Sequence, residues 1–278
     1  MNATDDSYNL VIEAGRTERQ YWKDLWAYRE LLWILCRRDL TVRYKQTVIG
    51  VLWAIAKPLM TILTFTILLG KVAQLPSEPG VPYSVLVFSG MLIWSFFSEC
   101  LIGASGSLIA NANLVSKVYL PRLLIPLSAI SVAVVDFLVS LVLFAVLLAW
   151  FSLLPPAQCF LLPVFILLAG LLALGPALVL AALSVPYRDV RHMTPIIVQL
   201  GMYVSPVVYT SALVPEQWEW LYRLNPMVGI MDGFRWAMLG SPEFPTIALA
   251  ISCLWCFGLL LAGIAVFRNM ERTFVDVL

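Results

Sequence analysis

Residues 125–150 read IPLSAISVAVVDFLVSLVLFAVLLAW, and Asp136 is the one charged side chain in this stretch. A helix of this length crosses the hydrocarbon core of a bilayer, which is about 30 Å thick and needs roughly 20 apolar residues. A surface helix of a soluble protein would instead carry a polar face. The stretch therefore predicts a transmembrane helix.

The rest of the chain has a similar composition. Of its 278 residues, 61% are hydrophobic and 13% are charged, whereas soluble domains carry about 25% charged residues. So few polar groups cannot cover a water-soluble globule, and a net charge of +1 indicates no nucleic-acid partner. We predict an all-α integral membrane protein with six spans, at 51–70, 84–104, 125–150, 160–184, 193–211 and 246–267.

The distribution of Lys and Arg predicts the orientation, because short cytoplasmic loops are enriched in these residues. With the N-terminus inside, fourteen of the 18 Lys and Arg residues fall in cytoplasmic segments and three fall outside. Both termini are therefore expected in the cytoplasm. They form a disordered tail at 1–18 and a second tail at 268–278, and the six-span domain covers 51–267.

Residues 19–46 predict an amphipathic helix that lies in the membrane interface. Two interpretations stay open: a plain anchor, or an anchor that also offers a docking surface or a headgroup site. The apolar face of this helix carries three tryptophans beside basic residues, as interfacial helices do. Its members are Trp22, Leu25, Trp26, Leu32, Trp33, Cys36 and Leu40.

Residues 214–240, between spans five and six, predict a re-entrant hairpin at the outer side. Pro215 can open one short helix, and Asn225-Pro226 can open a second, with Asn as N-cap and Pro at the first helical position. Neither helix is long enough to cross a bilayer. Such segments persist in membranes where they are buried in protein or line a cavity.

Catalytic and metal-binding motifs are weak or missing in the sequence. No G-x-x-x-x-G-K-[ST] motif occurs, so no P-loop holds ATP, and a single histidine, His192, does not make a metal site. Residues 103–106 read GASG, which matches the G-x-S-G of rhomboid-type intramembrane serine proteases. That chemistry needs a base at the same depth, and small residues also allow close helix packing.

Glu99 and Asp136 are ionisable groups at apparent membrane depth, where a charge is costly. An ion-coupled secondary transporter would use such carboxylates. Structural hydrogen bonds between helices would also explain them, and both interpretations stay open at this point.

Residues 38–53 read RDLTVRYKQTVIGVLW, and Pro58 follows. This run resembles the permease subunits of bacterial polysaccharide exporters, which are ABC transporters of the O-antigen and teichoic-acid type. The similarity continues nearly to the end of the chain. It includes Tyr187-Arg188-Asp189, Ser205-Pro206, Tyr209, Asn225-Pro226, Phe234-Arg235 and the tail positions Glu271, Phe274 and Asp276.

The resemblance implies a homodimeric permease in the bacterial inner membrane, paired with two copies of a separate ATPase. ATP and Mg would be bound by that ATPase, so this chain would hold no cofactor and would not be an enzyme. The substrate would be a polysaccharide on a polyprenyl pyrophosphate, with O antigen first and teichoic acid, capsule or another amphiphile as alternatives.

The resemblance also suggests residue roles. Contacts to the ATPase are expected from Asn111, Lys117, Arg122, Arg188, Asp189 and Arg191. An outer gate is expected from Asn225, Pro226, Asp232, Phe234 and Arg235.

Physical chemistry suggests two further sets of residues. A pyrophosphate needs guanidinium and ammonium donors, and the candidates near the first span are Arg38, Arg43, Lys45 and Lys57. Sugar rings stack on aromatic faces, although a lipid-facing position is the alternative for each aromatic residue. The candidate channel aromatics are Trp53, Trp94, Phe96, Phe97, Tyr203 and Tyr209.

Overall fold

The computed structural model describes residues 18–45, 51–72, 74, 76–77, 80–118, 120–241, 243–271 and 274. Of the predicted tails at 1–18 and 268–278, residues 1–17, 272–273 and 275–278 lie outside the described residues. Within it, all regular structure is helical. The α-helices are α1 (Glu18–Ala27), α2 (Arg29–Lys45), α3 (Val51–Phe65), α4 (Tyr83–Ala110), α5 (Ala112–Lys117), α6 (Leu124–Trp150), α7 (Leu162–Ser184), α8 (Val190–Val204), α9 (Glu216–Arg223), α10 (Pro226–Leu239) and α11 (Thr246–Met270).

Five helical segments among the described residues are long and apolar enough to cross a membrane. They coincide with predicted spans one to four and six. The first combines α3 with a π-helical turn at Thr66–Val72, and the fourth combines a 3₁₀ turn with α7. The five segments are Ile55–Val72, Tyr83–Ala110, Leu124–Trp150, Ala157–Ser184 and Thr246–Met270.

The predicted span at 193–211 differs from the structure. Helix α8 has 15 residues and ends at Val204, and Ser205 takes an extended conformation. Ser205 precedes Pro206, and a residue before proline is biased away from the helical region. Because α8 alone covers only about 22 Å, the count of six spans is not confirmed by helix length.

Helix α4 lies at the centre of the bundle, where it packs against α6 and α7. Its residues are buried along most of its length, among them Phe88, which stacks edge-on with Phe144 of α6 at 5.3 Å between ring centroids. Helix α11 packs on α7 through glycines: a Cβ on Gly263 would clash with the backbone of Gly175. Small residues at this crossing let the two backbones approach closely.

The first and last segments that the structure describes, α1 and the end of α11, meet at one end of the bundle, which we name the terminal end. There Arg122 donates a hydrogen bond to the Glu271 carbonyl oxygen, and its guanidinium lies 5.7 Å from the Phe274 ring centroid. Arg268 lies 4.8 Å from the ring centroid of Tyr21 in α1. Burial raises the pKa of the Glu271 carboxyl. The opposite end, which carries α9 and the start of α10, is named the far end.

The glycine crossing generates a stability prediction. Gly263→Leu forces α7 and α11 apart, and overpacking of this kind costs about 1–3 kcal/mol. We expect a lower midpoint of thermal unfolding for the purified protein in detergent. Gly258→Leu, on the same helix but with open space around its Cβ position, is the control and should leave the midpoint near that of the wild type. Equal losses in both variants would contradict this packing.

Candidate functional site

A cavity of about 650 Å³ lies between the end of α2 and the helices α3, α4 and α6. Helix α4 contributes one face to it, because Phe88, Leu92, Phe96 and Glu99 follow each other at helical spacing. The lining is mostly apolar, with charged side chains gathered in one part. Those charged residues are Arg43, Lys57, Glu99 and Asp136, and we name them the charged cluster.

The charged cluster consists of two cations and two carboxylates from four helices. The Arg43 guanidinium forms an ion pair with Asp136, and the Tyr44 hydroxyl also donates to Asp136. Lys57 Nζ donates to Glu99 Oε1 at 3.0 Å, and Arg43 Nη2 lies 3.9 Å from the same oxygen. The cluster thus contains equal numbers of basic and acidic side chains.

Exposure differs between the two signs of charge. The Asp136 and Glu99 side chains are 12% and 21% exposed, whereas those of Arg43 and Lys57 are 48% and 67% exposed. The carboxylates are therefore part of the cavity wall, and the cations reach toward them from α2 and α3. A carboxylate at membrane depth is costly when alone, and here each one has a cationic partner. Burial raises the pKa of Tyr44 beside Asp136.

The structure separates the four candidate headgroup residues. Arg43 and Lys57 line the cavity, whereas Arg38 and Lys45 do not. Arg38 instead donates to Asp39 and to the Asn111 side-chain oxygen, both at 2.7 Å. The sequence pointed to the cations but did not identify Glu99 and Asp136 as their partners. Sequence spacing offers no signal for that pairing, since Arg43 and Asp136 are 93 positions apart.

The candidate channel aromatics also fall into groups. Trp53 and Phe96 line the cavity, and Phe96 packs against Phe137 at 5.1 Å between centroids. Trp94 and Phe97 pair with each other at 5.4 Å, and Tyr203 is exposed on α8. A channel-lining role stays a prediction for every member, including Tyr209 at the far end.

The candidate gate residues build the far end. The Asn225 side chain accepts from the Met227 amide at 3.0 Å and so caps α10, as predicted, with Pro226 at the first helical position. Asp232 accepts from the Ser211 hydroxyl at 2.5 Å. Phe234 is fully buried. These contacts describe packing, and a gating role stays a prediction.

Arg235 has a structural role that the sequence did not reveal. It is only 2% exposed, and it donates to the carbonyl oxygens of Val207 and Tyr209 at 3.0 Å each. It also donates to Ser89 of α4 at 3.3 Å. These bonds satisfy backbone groups that the helix break at Ser205-Pro206 leaves without helical partners.

The candidate ATPase contacts lie at the terminal end, in the connection between α7 and α8 and in the first turn of α8. Lys117, Arg188, Asp189 and Arg191 are exposed. Asn111 accepts a hydrogen bond from Arg38, and Arg122 is half-buried against Glu271 and Phe274. Four of the six residues are thus accessible to a partner, while Asn111 and Arg122 also hold the fold together.

Comparison with known proteins identifies the family. The model of the ABC-2 type transporter family matches residues 30–239, which is most of the chain and includes the whole cavity. The chain belongs to the ABC-2 type transporter family. It is thus the membrane permease subunit of an ABC transporter and not an enzyme, which rules out the intramembrane protease hypothesis. Ser105 accordingly is buried and donates to the Ile102 carbonyl oxygen at 2.9 Å.

Curated relatives of this ABC-2 permease cover nearly its full length. It is 26% identical over 254 residues to an O-antigen export system permease protein RfbA of Klebsiella pneumoniae, covering 90% of this chain and 95% of the relative. A Myxococcus xanthus RfbA is also 26% identical, with 91% and 97% coverage. The polysialic acid transport protein KpsM of Escherichia coli is 23% identical, with 84% and 91% coverage.

Family membership has two direct consequences for this permease. An ABC-2 permease works with an ATPase subunit, and its several apolar helices indicate a multi-pass inner-membrane protein. Energy coupling through a separate ATPase also replaces the hypothesis of ion coupling through Glu99 and Asp136.

The ion pair between Arg43 and Asp136 can be tested by a double-mutant cycle. Asp136→Ala leaves Arg43 and Tyr44 without their carboxylate, so we expect a lower midpoint of thermal unfolding in detergent. In the Arg43→Ala background, Asp136→Ala should lower the stability by less than it does in the wild type, with a coupling energy of about 0.5–3 kcal/mol. Ser140→Ala, one helical turn further along the same cavity wall, is the control and should add to Arg43→Ala without coupling. Additive effects of Arg43→Ala and Asp136→Ala would contradict the pairing.

Proposed function

We propose that this permease exports a polysaccharide linked to a polyprenyl pyrophosphate, with O antigen as the glycan, from the cytoplasm to the periplasm. The observation that carries the proposal is the cavity itself, in which Arg43 and Lys57, with their carboxylate partners, lie at one part of a mostly apolar lining. A lipid diphosphate has the matching chemistry, since its phosphates need charged donors and its prenyl chain needs apolar surface. The names of the RfbA relatives support O antigen as the glycan.

The cavity suggests how such a headgroup is held. The phosphates lie against Arg43 and Lys57, and the first prenyl units lie along Phe88, Leu92 and Phe96 of α4. The Trp53 ring, also in the lining, offers a flat face to the first sugar. Stacking of this kind tolerates a repeating polymer, because it does not depend on one set of hydrogen-bond partners.

The proposed assembly contains two copies of the permease and two ATPase subunits, which bind ATP and Mg. The ATPases contact four exposed residues of the permease: Lys117, Arg188, Asp189 and Arg191. Segment 205–211 continues α8 to complete a sixth crossing, and the hairpin α9–α10 forms the re-entrant outer gate.

We place the N-terminal helix in the membrane interface, with both termini in the cytoplasm. In the structure this helix is broken at Tyr28 into α1 and α2. Trp22, Trp26 and Trp33 are exposed at 43%, 73% and 71%. Exposed tryptophans beside basic residues suit the headgroup region of a bilayer.

Orientation can be measured with reporter fusions. A fluorescent-protein fusion to the C-terminus should fluoresce, because the terminal end faces the cytoplasm. Alkaline phosphatase, which is active only outside, should be active when inserted within α9, between Trp218 and Trp220. The reverse pattern would contradict the proposed orientation, and the same reporters exchanged between the two positions provide the controls.

Capsule polysaccharide is the second candidate glycan. It is favoured by relatives named for polysialic acid transport and capsule polysaccharide export, which are 23% and 24% identical to this chain. Expression of the permease and its ATPase in strains that lack either the O-antigen or the capsule exporter would separate the two. Restoration of surface O antigen alone is the expected result.

The headgroup site predicts the effect of Lys57→Ala in a complex with the ATPase partner. We expect ATPase stimulation by undecaprenyl diphosphate in vesicles to require roughly ten times more lipid, because one charge-assisted contact to phosphate is lost. Lys71→Ala, an exposed lysine at the other end of the same helical segment, is the matched control and should respond like the wild type. An unchanged response of Lys57→Ala would contradict the proposed site.

A further inference from the structure

An anion of the protein itself lies between the two cavity cations. Glu99 Oε1 is 3.0 Å from Lys57 Nζ and 3.9 Å from Arg43 Nη2. Since both nitrogens approach the same oxygen, they are no farther apart than the sum of these two distances. An oxygen between a guanidinium and an ammonium group is the arrangement that a bound phosphate requires. Under the proposed function, the Glu99 carboxylate thus lies where a phosphate oxygen of the headgroup would lie.

Glu99 and Asp136 differ in how firmly they are held. Asp136 accepts from both Arg43 and Tyr44 of α2, and its side chain is 12% exposed. Glu99 is more exposed, and its close partner Lys57 is 67% exposed beside the cavity. An ion pair with this much solvent access is weak. The Lys57–Glu99 pair is therefore the one that an incoming anion can open.

We propose that Glu99 is an internal counterion that selects the substrate's headgroup by competing with it for Lys57. This inference rests on the proposed headgroup site and deepens it. A phosphodiester with one negative charge, such as that of a bulk phospholipid, gains little when it displaces a carboxylate and leaves Glu99 unpaired. A diphosphate brings a second charge and can contact Arg43 as well. Penalising the wrong ligand is a general route to specificity.

The same competition gives Glu99 a role in release. When the diphosphate dissociates from Lys57, Glu99 can form the ion pair with Lys57 again. The ammonium group is therefore not left unpaired when the substrate leaves. Without the carboxylate, the headgroup binds more tightly and leaves more slowly. Affinity and turnover are then expected to change in opposite senses.

The test uses the complete transporter with its ATPase partner in nanodiscs of neutral phosphatidylcholine. Undecaprenyl diphosphate is titrated while the ATPase rate is recorded, with undecaprenol and inorganic pyrophosphate as probes for the tail and the free anion. For Glu99→Gln we expect the half-saturating diphosphate concentration to fall about fivefold and the maximal rate to fall. Phosphatidylglycerol should not compete in the wild type and should compete in Glu99→Gln. Glu219→Gln, in the exposed pair with Arg223 at the far end, is the control and should behave like the wild type.

Glu99→Asp keeps the charge on a shorter side chain, so phosphatidylglycerol should still fail to compete while the half-saturating concentration falls less. Unchanged or weaker binding of diphosphate in both Glu99 variants, with phosphatidylglycerol still inert, would overturn the inference and leave Glu99 with a purely structural role. That result is distinct from failure of the headgroup site itself. In that case Lys57→Ala would leave the diphosphate response of an otherwise wild-type transporter unchanged.

Discussion

The pairing of Arg43 and Lys57 with Asp136 and Glu99 is the interaction on which the cavity depends, because it joins α2, α3, α4 and α6 around one polar centre. Among the α3 residues whose burial the structure describes, Ile62 is the one buried apolar side chain. The outer face of this helix is exposed. Apolar packing therefore holds α3 weakly. The charged cluster adds directional contacts: a well-held one from α2 to α6, between Arg43 and Asp136, and a weaker one from α3 to α4, between Lys57 and Glu99. An unpaired charge is costly in hydrocarbon, so each residue of the cluster lowers the free-energy cost of burying its partner.

A second polar centre has the corresponding role at the far end. Arg235 of α10 donates to the carbonyl oxygens of Val207 and Tyr209, and Tyr83 of α4 donates to that of Val208 between them at 2.8 Å. Three successive carbonyl groups in a non-helical segment are thus satisfied by side chains. Irregular backbone at membrane depth persists when it is buried in protein, and these donors meet that condition for the segment after α8.

Apolar composition and helix signals made most of the fold predictable from the sequence. The spans at 84–104, 125–150, 160–184 and 246–267 follow from hydropathy and length, and each coincides with a long apolar helix. The Asn225-Pro226 pair marks the start of α10 by local hydrogen bonding alone. Span 193–211 was less predictable, because hydropathy averages across the break at Ser205-Pro206. The candidate site was half predictable. Phosphate chemistry pointed to four cations, Arg38, Arg43, Lys45 and Lys57, of which only Arg43 and Lys57 line the cavity. Their carboxylate partners depend on tertiary packing that a single sequence does not encode locally.

Helix α2 connects the surface proposed for the ATPase with the cavity through a series of polar contacts. At one point Arg38 donates to Asn111, next to α5. One residue later, Asp39 accepts from Ser128 of α6 at 3.0 Å. One helical turn further, Arg43 and Tyr44 hold Asp136. A helix transmits displacement along its axis with little deformation. Under the proposed function, an ATPase that shifts the α4–α5 junction therefore also shifts the Arg43 guanidinium, which faces the headgroup. The run RDLTVRYK at 38–45 then has two roles, since its first turn contacts the α4–α5 junction and its last turn lines the cavity.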